Sequence, residues 1–230
     1  MTDKNILIIA ATELEVKPLL EGAELYSQEP RVYKTSIEQS EVDILISGVG
    51  MAFTTYNLTK AIFQNTYRFA LNVGIAGAFD HKTELGTVFN VINELFADLG
   101  LLTDKKFYSL FDMSLLQEGE FPFTKNFMHN FSLINNKVIE GLPSANGVTV
   151  NTLISDKCPP DLRMENLNPQ VETMEGAAVF YVCMKEHLPF AEIRAISNYV
   201  GDSDKEKWDI PLAVERLADT VKAVFREIQQ

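Results

Sequence analysis

From residue 171 the chain reads Val-Glu-Thr-Met-Glu-Gly-Ala-Ala, and from residue 194 it reads Arg-Ala-Ile-Ser-Asn. Between them, residues 176–184 are apolar almost all round, which predicts a buried helix, and Pro189 ends it. Residues 191–196 then predict a buried strand. Because the strands on both sides of the helix end in polar side chains, the stretch indicates a βαβ unit with its chemistry at the carboxyl edge of a parallel sheet.

The rest of the chain also alternates strands and helices. Continuous apolar runs predict buried strands at residues 6–11, 42–46, 69–73 and 87–92, with a short strand at 147–150. Helices are predicted after Thr12, which would cap the first of them, from Met51, around residues 126–131, and over residues 214–228. We therefore expect an α/β fold with a single domain over residues 1–230, a three-layer αβα sandwich around a mixed, largely parallel central sheet. Residues 101–146 are expected to form a long connection over the active edge of that sheet.

Charge and composition exclude several classes of function. The 230 residues carry a net charge of -12 with a pI near 4.7, which argues against nucleic acid and against an anionic membrane surface as partners. No apolar run is long enough to span a membrane, and the beginning of the chain does not read as a signal peptide. Cys158 and Cys183 are expected to be free thiols of a cytoplasmic protein. The three histidines lack the spacing of a metal site, so we expect neither a metal nor a cofactor.

Glycines and carboxylates cluster after several predicted strands: Glu13 with Glu15, Gly48 with Gly50, Gly74 with Gly77, and Glu172 with Glu175, to which Asn198 is added by the last strand. Glycine lets the backbone approach a ligand closely and offers its N–H groups. For any one cluster, an ordinary turn is a better explanation than a binding site. Several clusters at the same edge of the sheet, however, indicate a binding site. A dinucleotide site does not fit, because Phe53 stands where the third glycine of that fingerprint belongs.

Five stretches occur in the order and spacing typical of one family: Ala11-Thr-Glu-Leu-Glu15, Ser47-Gly-Val-Gly50, Asn72-Val-Gly-Ile-Ala-Gly77, Thr173-Met-Glu-Gly-Ala177 and Arg194-Ala-Ile-Ser-Asn198. In these stretches the chain resembles the purine nucleoside phosphorylase and nucleosidase superfamily, whose fold it is expected to share. Within that superfamily, residues 93–100 and Asn198 are most similar to the futalosine hydrolases, nucleosidases of the alternative menaquinone pathway.

The resemblance implies hydrolysis of the N-glycosidic bond of a purine nucleoside, with three catalytic residues. Glu15 would orient and deprotonate water, Glu175 would accept hydrogen bonds from the ribose hydroxyls, and Asn198 would meet the leaving base. The substrate-binding residues implied in the same way are Met174 at the sugar, Ser197 at the base, Leu153 and Ile154 along the purine slot, Arg194 near Asn198, and Ile75, Gly77 and Phe96. Taken alone, Glu15 and Glu175 read as ordinary carboxylates at helix starts. For Arg194, a structural ion pair explains the residue nearly as well as a role in the site does.

Asn198 and the loop sequences narrow the expected reaction. An amide offers one donor group and one acceptor, which match a 6-oxopurine with O6 and a protonated N7, so hypoxanthine is the expected leaving base. With adenine, the NH2 group of Asn198 would face the 6-amino group of the base, so that two donors would meet without an acceptor, at a cost of about 1–3 kcal/mol. Neither the loop after the first strand nor residues 74–80 contain an arginine for phosphate, and Glu15 would repel that anion. We therefore expect water as the nucleophile and futalosine as the substrate, giving hypoxanthine and dehypoxanthine futalosine.

Two alternatives stay open. One is an enzyme with a different substrate, either a methylthioadenosine/S-adenosylhomocysteine nucleosidase or, as a weaker candidate, an inosine phosphorylase. The other is a non-catalytic nucleoside-binding protein, which would have no use for a water-activating Glu15. The resemblance also implies a homo-oligomer, since the family often forms dimers, and a dimer is the state expected here. Six phenylalanines between residues 107 and 131 are compatible with an interface and equally with core.

Overall fold

The computed structural model describes residues 5–132, 134–155, 161–165 and 167–228. Its strands are β1 (Asn5–Ala10), β2 (Glu24–Gln28), β3 (Arg31–Ile37), β4 (Ser40–Ile46), β5 (Tyr67–Ala78), β6 (Val88–Glu94), β7 (Gly100–Leu102), β8 (Phe107–Ser109), β9 (Phe123–Thr124), β10 (Phe127–His129), β11 (Ser144–Thr149), β12 (Val171–Thr173) and β13 (Phe190–Tyr199). Its α-helices are α1 (Met51–Gln64), α2 (Lys137–Gly141), α3 (Gly176–Lys185) and α4 (Ile210–Ile228). Short 3₁₀ helices lie at Lys17–Leu19, Leu162–Met164 and Lys205–Lys207.

The main sheet is mixed, and its centre consists of four parallel strands in the order β4, β1, β5, β13. Strand β6 pairs antiparallel with β13 and parallel with β11, and β11 pairs with β12. Strand β12 then returns to the end of β5, where Glu172 pairs with Gly77. Asn198 of β13 also pairs with Gly77. Three of the predicted motifs are therefore held side by side at one strand end.

Helices cover both faces of this sheet, because alternate residues of each buried strand point to opposite sides. Ile6 and Ile8 belong to a core that includes α4, whereas Leu7 and Ile9 belong to a core that includes α1 and α3. Helix α3 is buried, as its apolar composition predicted. The predicted α/β fold with a mixed sheet between layers of helices is confirmed.

Two of the predicted helices are wrong. After β1 the chain turns, and only the 3₁₀ helix Lys17–Leu19 follows. The backbone N–H and the hydroxyl of Thr12 donate to Glu15 Oε2 at 2.9 and 3.2 Å, so they hold the Glu15 side chain instead of capping an α-helix. Residues 127–129 form β10, since Met128 pairs with Glu94 of β6. Cross-strand pairing decides the structure of this short apolar segment, whose periodicity does not distinguish helix from strand.

Residues 101–146 are more regular than the long connection that was expected. They contain β8, β9, β10 and α2, and none of their described residues lines the cavity at the active edge. The phenylalanines of this segment divide between core and surface, since Phe123 is buried and Phe131 is 78% exposed. Cys183 is buried and free, and Cys158 lies outside the described residues.

Candidate active site

A cavity of about 430 Å³ opens where β1, β5, β12 and β13 end. Its lining includes members of three of the four predicted clusters of glycines and carboxylates, and the fourth contributes only Val49, which lies between Gly48 and Gly50. Of the residues that the sequence predicts for the site, the cavity is lined by Glu15, Ile75, Gly77, Leu153, Met174, Glu175, Ser197 and Asn198. Segments far apart in sequence thus converge on one hollow.

Three predicted residues do not line this cavity. Phe96 packs its ring 6.4 Å from that of Phe123 and 6.2 Å from that of Tyr181, and it lines two other cavities instead. Ile154 is the neighbour of Leu153 but is not part of the lining. Arg194 is 1% exposed and lies within the fold. It forms a buried ion pair with Glu192 at 2.7 Å, the structural role that the sequence left open for it.

Glu15 is held by groups from two strand ends. Its Oε2 accepts from the backbone N–H and the hydroxyl of Thr12, and its Oε1 accepts from the Ile75 N–H at 3.1 Å. The residue is 6% exposed, yet it lines the cavity. A carboxylate fixed by three donors and open to the cavity on one side is well placed to orient a water molecule.

Glu175 lies at the start of α3 and is held by a glycine loop. Its Oε1 accepts from the backbone N–H of Gly50 at 2.8 Å. Gly50 has φ 95°, a conformation that favours glycine and that turns this N–H toward the carboxylate. Burial raises the pKa of the Glu175 carboxyl to about 7, although the positive charge of Arg194 and the Gly50 N–H oppose that rise. The carboxyl therefore changes its charge close to neutral pH.

Ser197 and Asn198 form a polar pair at the end of β13. The Ser197 hydroxyl donates to Asn198 Oδ1 at 2.8 Å, and Asn198 Nδ2 donates to the Tyr199 carbonyl at 3.1 Å. These bonds assign the orientation of the amide. Each amide atom keeps capacity for one more partner, because Nδ2 has a second N–H and Oδ1 a second lone pair. Asn198 can therefore offer a donor and an acceptor to one ligand edge.

Arg194 lies below the cavity in contact with several carboxylates. Its Nε donates to Glu192 Oε1 at 2.7 Å. Burial alone would lower the pKa of Arg194, but the charges of Glu192, Glu175 and Glu15 raise it above its ordinary value. A Cβ on Gly74 would lie 2.0 Å from Arg194 Nη1 and 2.7 Å from Glu15 Oε1. Only glycine leaves room for the guanidinium beside the Glu15 carboxylate.

A second buried carboxylate, Glu94, lies under the start of α3. Its Oε2 accepts from the Thr149 hydroxyl at 2.8 Å, and its Oε1 accepts from the Thr173 hydroxyl at 3.4 Å. Those two hydroxyls also accept from the first N–H groups of α3, those of Gly176 at 3.1 Å and Ala177 at 2.7 Å. Burial raises the pKa of Glu94 well above its ordinary value, and the neighbouring charge of Glu192 adds to the rise. This network fixes the helix end that carries Glu175.

Glu172, which the sequence placed in a carboxylate cluster with Glu175 but without a role of its own, also lines the cavity. Burial raises the pKa of the Glu172 carboxyl to about 7, and the charge of Arg163 opposes that rise. Arg163 donates to both oxygens of Asp161 at 2.7 to 3.0 Å and lies 3.8 Å from Asp98. The charge of Arg163 is therefore already balanced by two aspartates.

Two further lining residues were not predicted, Lys205 and Trp208. They belong to the loop between β13 and α4, which returns to the site because the Asp209 N–H donates to the Ser197 carbonyl at 2.8 Å. No periodicity or motif indicates such a return. Among the described residues, no three histidine, cysteine or carboxylate side chains are grouped so that they could hold a metal ion. No helix in the described ranges is both long and apolar enough to cross a bilayer.

Comparison with known proteins confirms the resemblance inferred from the motifs. Residues 145–228 match the family model described as the phosphorylase superfamily. A futalosine hydrolase of Thermus thermophilus is 29% identical, over 96% of this chain and 95% of its own. A 5'-methylthioadenosine/S-adenosylhomocysteine nucleosidase of Halalkalibacterium halodurans is 27% identical, over 89% of this chain and 90% of its own. The fold matches that of a 5'-methylthioadenosine/S-adenosylhomocysteine nucleosidase from Helicobacter pylori with a TM-score of 0.79 and 19% identity, over 99% of this chain and 100% of that one.

Proposed function

We propose that the chain is a purine nucleosidase, a hydrolase of N-glycosyl bonds, because its sequence is similar to the phosphorylase superfamily model and to a named futalosine hydrolase. One observation carries the proposal. Glu15, Glu175 and Asn198 come from three separate strand ends and line a single cavity of about 430 Å³, which is large enough for one nucleoside. A carboxylate for water, a carboxylate for ribose and an amide for the base are the groups that the reaction needs.

The proposed mechanism assigns one step to each of these groups. Glu15, held by Thr12 and Ile75, accepts a proton from the water whose oxygen bonds to C1' of the ribose. The C1'–N9 bond breaks, its electron pair passes to the base, and the base takes up a proton and leaves. Glu175 accepts hydrogen bonds from the ribose hydroxyls, and Asn198 holds the leaving base. The positive charge of Arg194 favours the ionised form of Glu175 and so opposes the rise in the pKa of that carboxyl.

Water is favoured over phosphate by the charge of the lining. Among the described residues, the cavity is lined by the carboxylates of Glu15, Glu172 and Glu175, by the single ammonium of Lys205 and by no arginine. A phosphate ion placed among them would meet repulsion without a guanidinium to bind it. We therefore propose hydrolysis and not phosphorolysis.

Futalosine is the proposed substrate, with hypoxanthine and dehypoxanthine futalosine as products, a step of menaquinone biosynthesis by the futalosine route. The free N–H of Asn198 can donate to O6 of a 6-oxopurine leaving group, and the free lone pair on its Oδ1 can accept from a protonated N7. The relative from Thermus thermophilus, named a futalosine hydrolase, supports this choice. The relative of 27% identity, named a 5'-methylthioadenosine/S-adenosylhomocysteine nucleosidase, supports the second candidate, an enzyme that releases adenine.

The direct test is to identify the base that the protein releases. The protein is incubated in phosphate-free buffer with futalosine, inosine or methylthioadenosine, and the products are separated by chromatography. Release of hypoxanthine from futalosine is the expected result. Adenine released from methylthioadenosine alone would support the second candidate, and no base from any of the three would contradict a catalytic function. A requirement for added phosphate would make the protein a phosphorylase.

We also propose that the protein is a homodimer. The side chains of Phe53, Tyr56 and Phe63 on α1 are 64%, 64% and 75% exposed. Large aromatic side chains exposed along one helix are typical of a surface that another chain covers. Light scattering coupled to gel filtration should give twice the 25.8 kDa of the chain, and a mass of one chain would contradict the proposal.

A further inference from the structure

The charges that line the cavity are unequal, and they leave one cation without a carboxylate partner. Three carboxylates and a single cationic side chain, that of Lys205, line the cavity in the part of the chain that the structure describes. The two nearby arginines are already neutralised, Arg163 by Asp161 and Asp98, and Arg194 by Glu192. Within the same described ranges, Lys205 forms no salt bridge, so its ammonium is available to an anion that enters the cavity.

The backbone that carries Lys205 is held in place by hydrogen bonds. The Trp208 N–H donates to the Lys205 carbonyl at 3.2 Å, and the indole N–H of Trp208 donates to the Asp202 carbonyl at 3.0 Å. The Ser155 hydroxyl donates to that of Ser203 at 3.2 Å, which joins this loop to the loop after β11. Lys205 and Trp208 therefore belong to one hydrogen-bonded turn, and both of them line the cavity.

The base, the ribose and the 5' substituent of a nucleoside would each contact a different part of the cavity lining. In the proposed function, Asn198 and Ser197 contact the base. Glu175 and Met174 contact the ribose, and Glu15 binds the water. Lys205 and Trp208 also line the cavity and have no part in these steps, so we assign them to the group attached at C5'. An ammonium and an indole ring in one cavity suit a substituent that combines a carboxylate with an apolar body.

We propose that Lys205 binds an anionic 5' substituent of the substrate and that it sets the preference for carboxylate-bearing nucleosides over neutral ones. The proposal rests on the proposed nucleosidase function and deepens it. It explains how a cavity lined by three carboxylates, in a protein with a net charge of -12, can admit an anionic substrate. A nucleoside with a neutral 5' group gains nothing from Lys205, so the residue acts on specificity and not on bond cleavage.

The test compares futalosine, which carries a 5' carboxylate, with inosine, which has a neutral 5' hydroxyl. Lys205→Met should lower the ratio of kcat/KM for futalosine to kcat/KM for inosine by about threefold to fivefold, mainly through KM, the size expected for one partly solvated charge contact. Lys205→Arg should restore most of the ratio. Lys207→Met is the matched control, because Lys207 lies on the same turn, is 66% exposed and does not line the cavity. An unchanged ratio in Lys205→Met, or an equal fall for both substrates, would overturn the proposal.

A binding measurement separates this proposal from the proposed catalysis. Trp208 is the only tryptophan of the chain and lines the cavity, so quenching of its fluorescence reports binding without turnover. If wild type cleaves neither nucleoside, the catalytic function is wrong, but titration still tests the anion site. Tighter binding of futalosine than of inosine, lost in Lys205→Met, would support the site. Equal affinity for the two, or no binding, would overturn it.

Discussion

Replacing Gly176 by alanine should destabilise the fold strongly, because the first turn of α3 lies directly on two buried carboxylates. A Cβ at this position would be 2.3 Å from Glu94 Oε1 and 2.7 Å from Glu192 Oε1. Ordinary contacts of a Cβ begin at 3.4 Å. The backbone of Gly176 is helical, so alanine suits its conformation, and the expected loss comes from the overlap alone.

The size of the loss follows from what holds the carboxylates. Glu94 cannot move without giving up its bond to the Thr149 hydroxyl at 2.8 Å, and Glu192 cannot move without lengthening its contact with Arg194 at 2.7 Å. Each lost buried hydrogen bond costs about 1–3 kcal/mol, and overpacking itself costs about 1–3 kcal/mol. We expect a loss of about 3–5 kcal/mol in the free energy of unfolding, which is a large part of a typical total of about 5–15 kcal/mol.

Urea unfolding followed by circular dichroism measures this loss. With a slope of about 2–3 kcal/mol per molar urea, the midpoint should fall by about 1–2.5 M. Gly141→Ala is the matched control, since Gly141 ends α2 and a Cβ there would meet nothing within 4 Å. Its midpoint should stay unchanged or rise slightly. A midpoint for Gly176→Ala within about 0.3 M of wild type, at an unchanged slope, would refute the argument from the buried network.

Two further predictions concern the chemistry of the site. Because the pKa of Glu175 is about 7 and its ionised form accepts from ribose, kcat/KM should be level above pH 8 and fall about tenfold per pH unit below 7. Glu172→Gln should leave that fall in place, although the pKa of Glu172 is also about 7. If Glu172→Gln flattened the pH profile instead, the group that titrates would be Glu172 and not Glu175. Asn198→Asp should shift the hypoxanthine-to-adenine rate ratio toward adenine by about tenfold or more, because a protonated carboxyl can donate to N7 while its other oxygen accepts from the 6-amino group. An unchanged ratio would defeat the donor and acceptor argument.

The edge of the sheet that carries the candidate site was predictable, because β1, β5 and β13 are visible as apolar runs and parallel strands bring their carboxyl ends to one edge. The roles of Glu15, Glu175 and Asn198 followed from the resemblance of their motifs to a known family, since Glu15 and Glu175 taken alone read as ordinary carboxylates at helix starts. The sheet and the buried helix α3 were predictable from the apolar runs themselves, since continuous apolar segments leave few choices of environment.

What could not be predicted depends on contacts between distant segments. Thr12 looks like a helix cap, but its hydrogen bonds go to a carboxylate that Ile75 also binds, and the helix is lost. Arg194 follows a pattern compatible with a site residue, yet buried carboxylates draw it beneath the cavity. Lys205 enters the lining only because Asp209 bonds back to the end of β13, a contact without a sequence pattern.

The most direct measurement of the central claim is the rate of hypoxanthine release from futalosine by wild type and by Glu15→Gln in phosphate-free buffer, with fluorescence titration as the control for binding. If Glu15 activates water opposite a base held by Asn198, wild type turns over without phosphate, and the variant binds futalosine normally while its kcat falls by at least about 100-fold. Near-normal turnover by Glu15→Gln would contradict the account, because another group would then have to deprotonate the water.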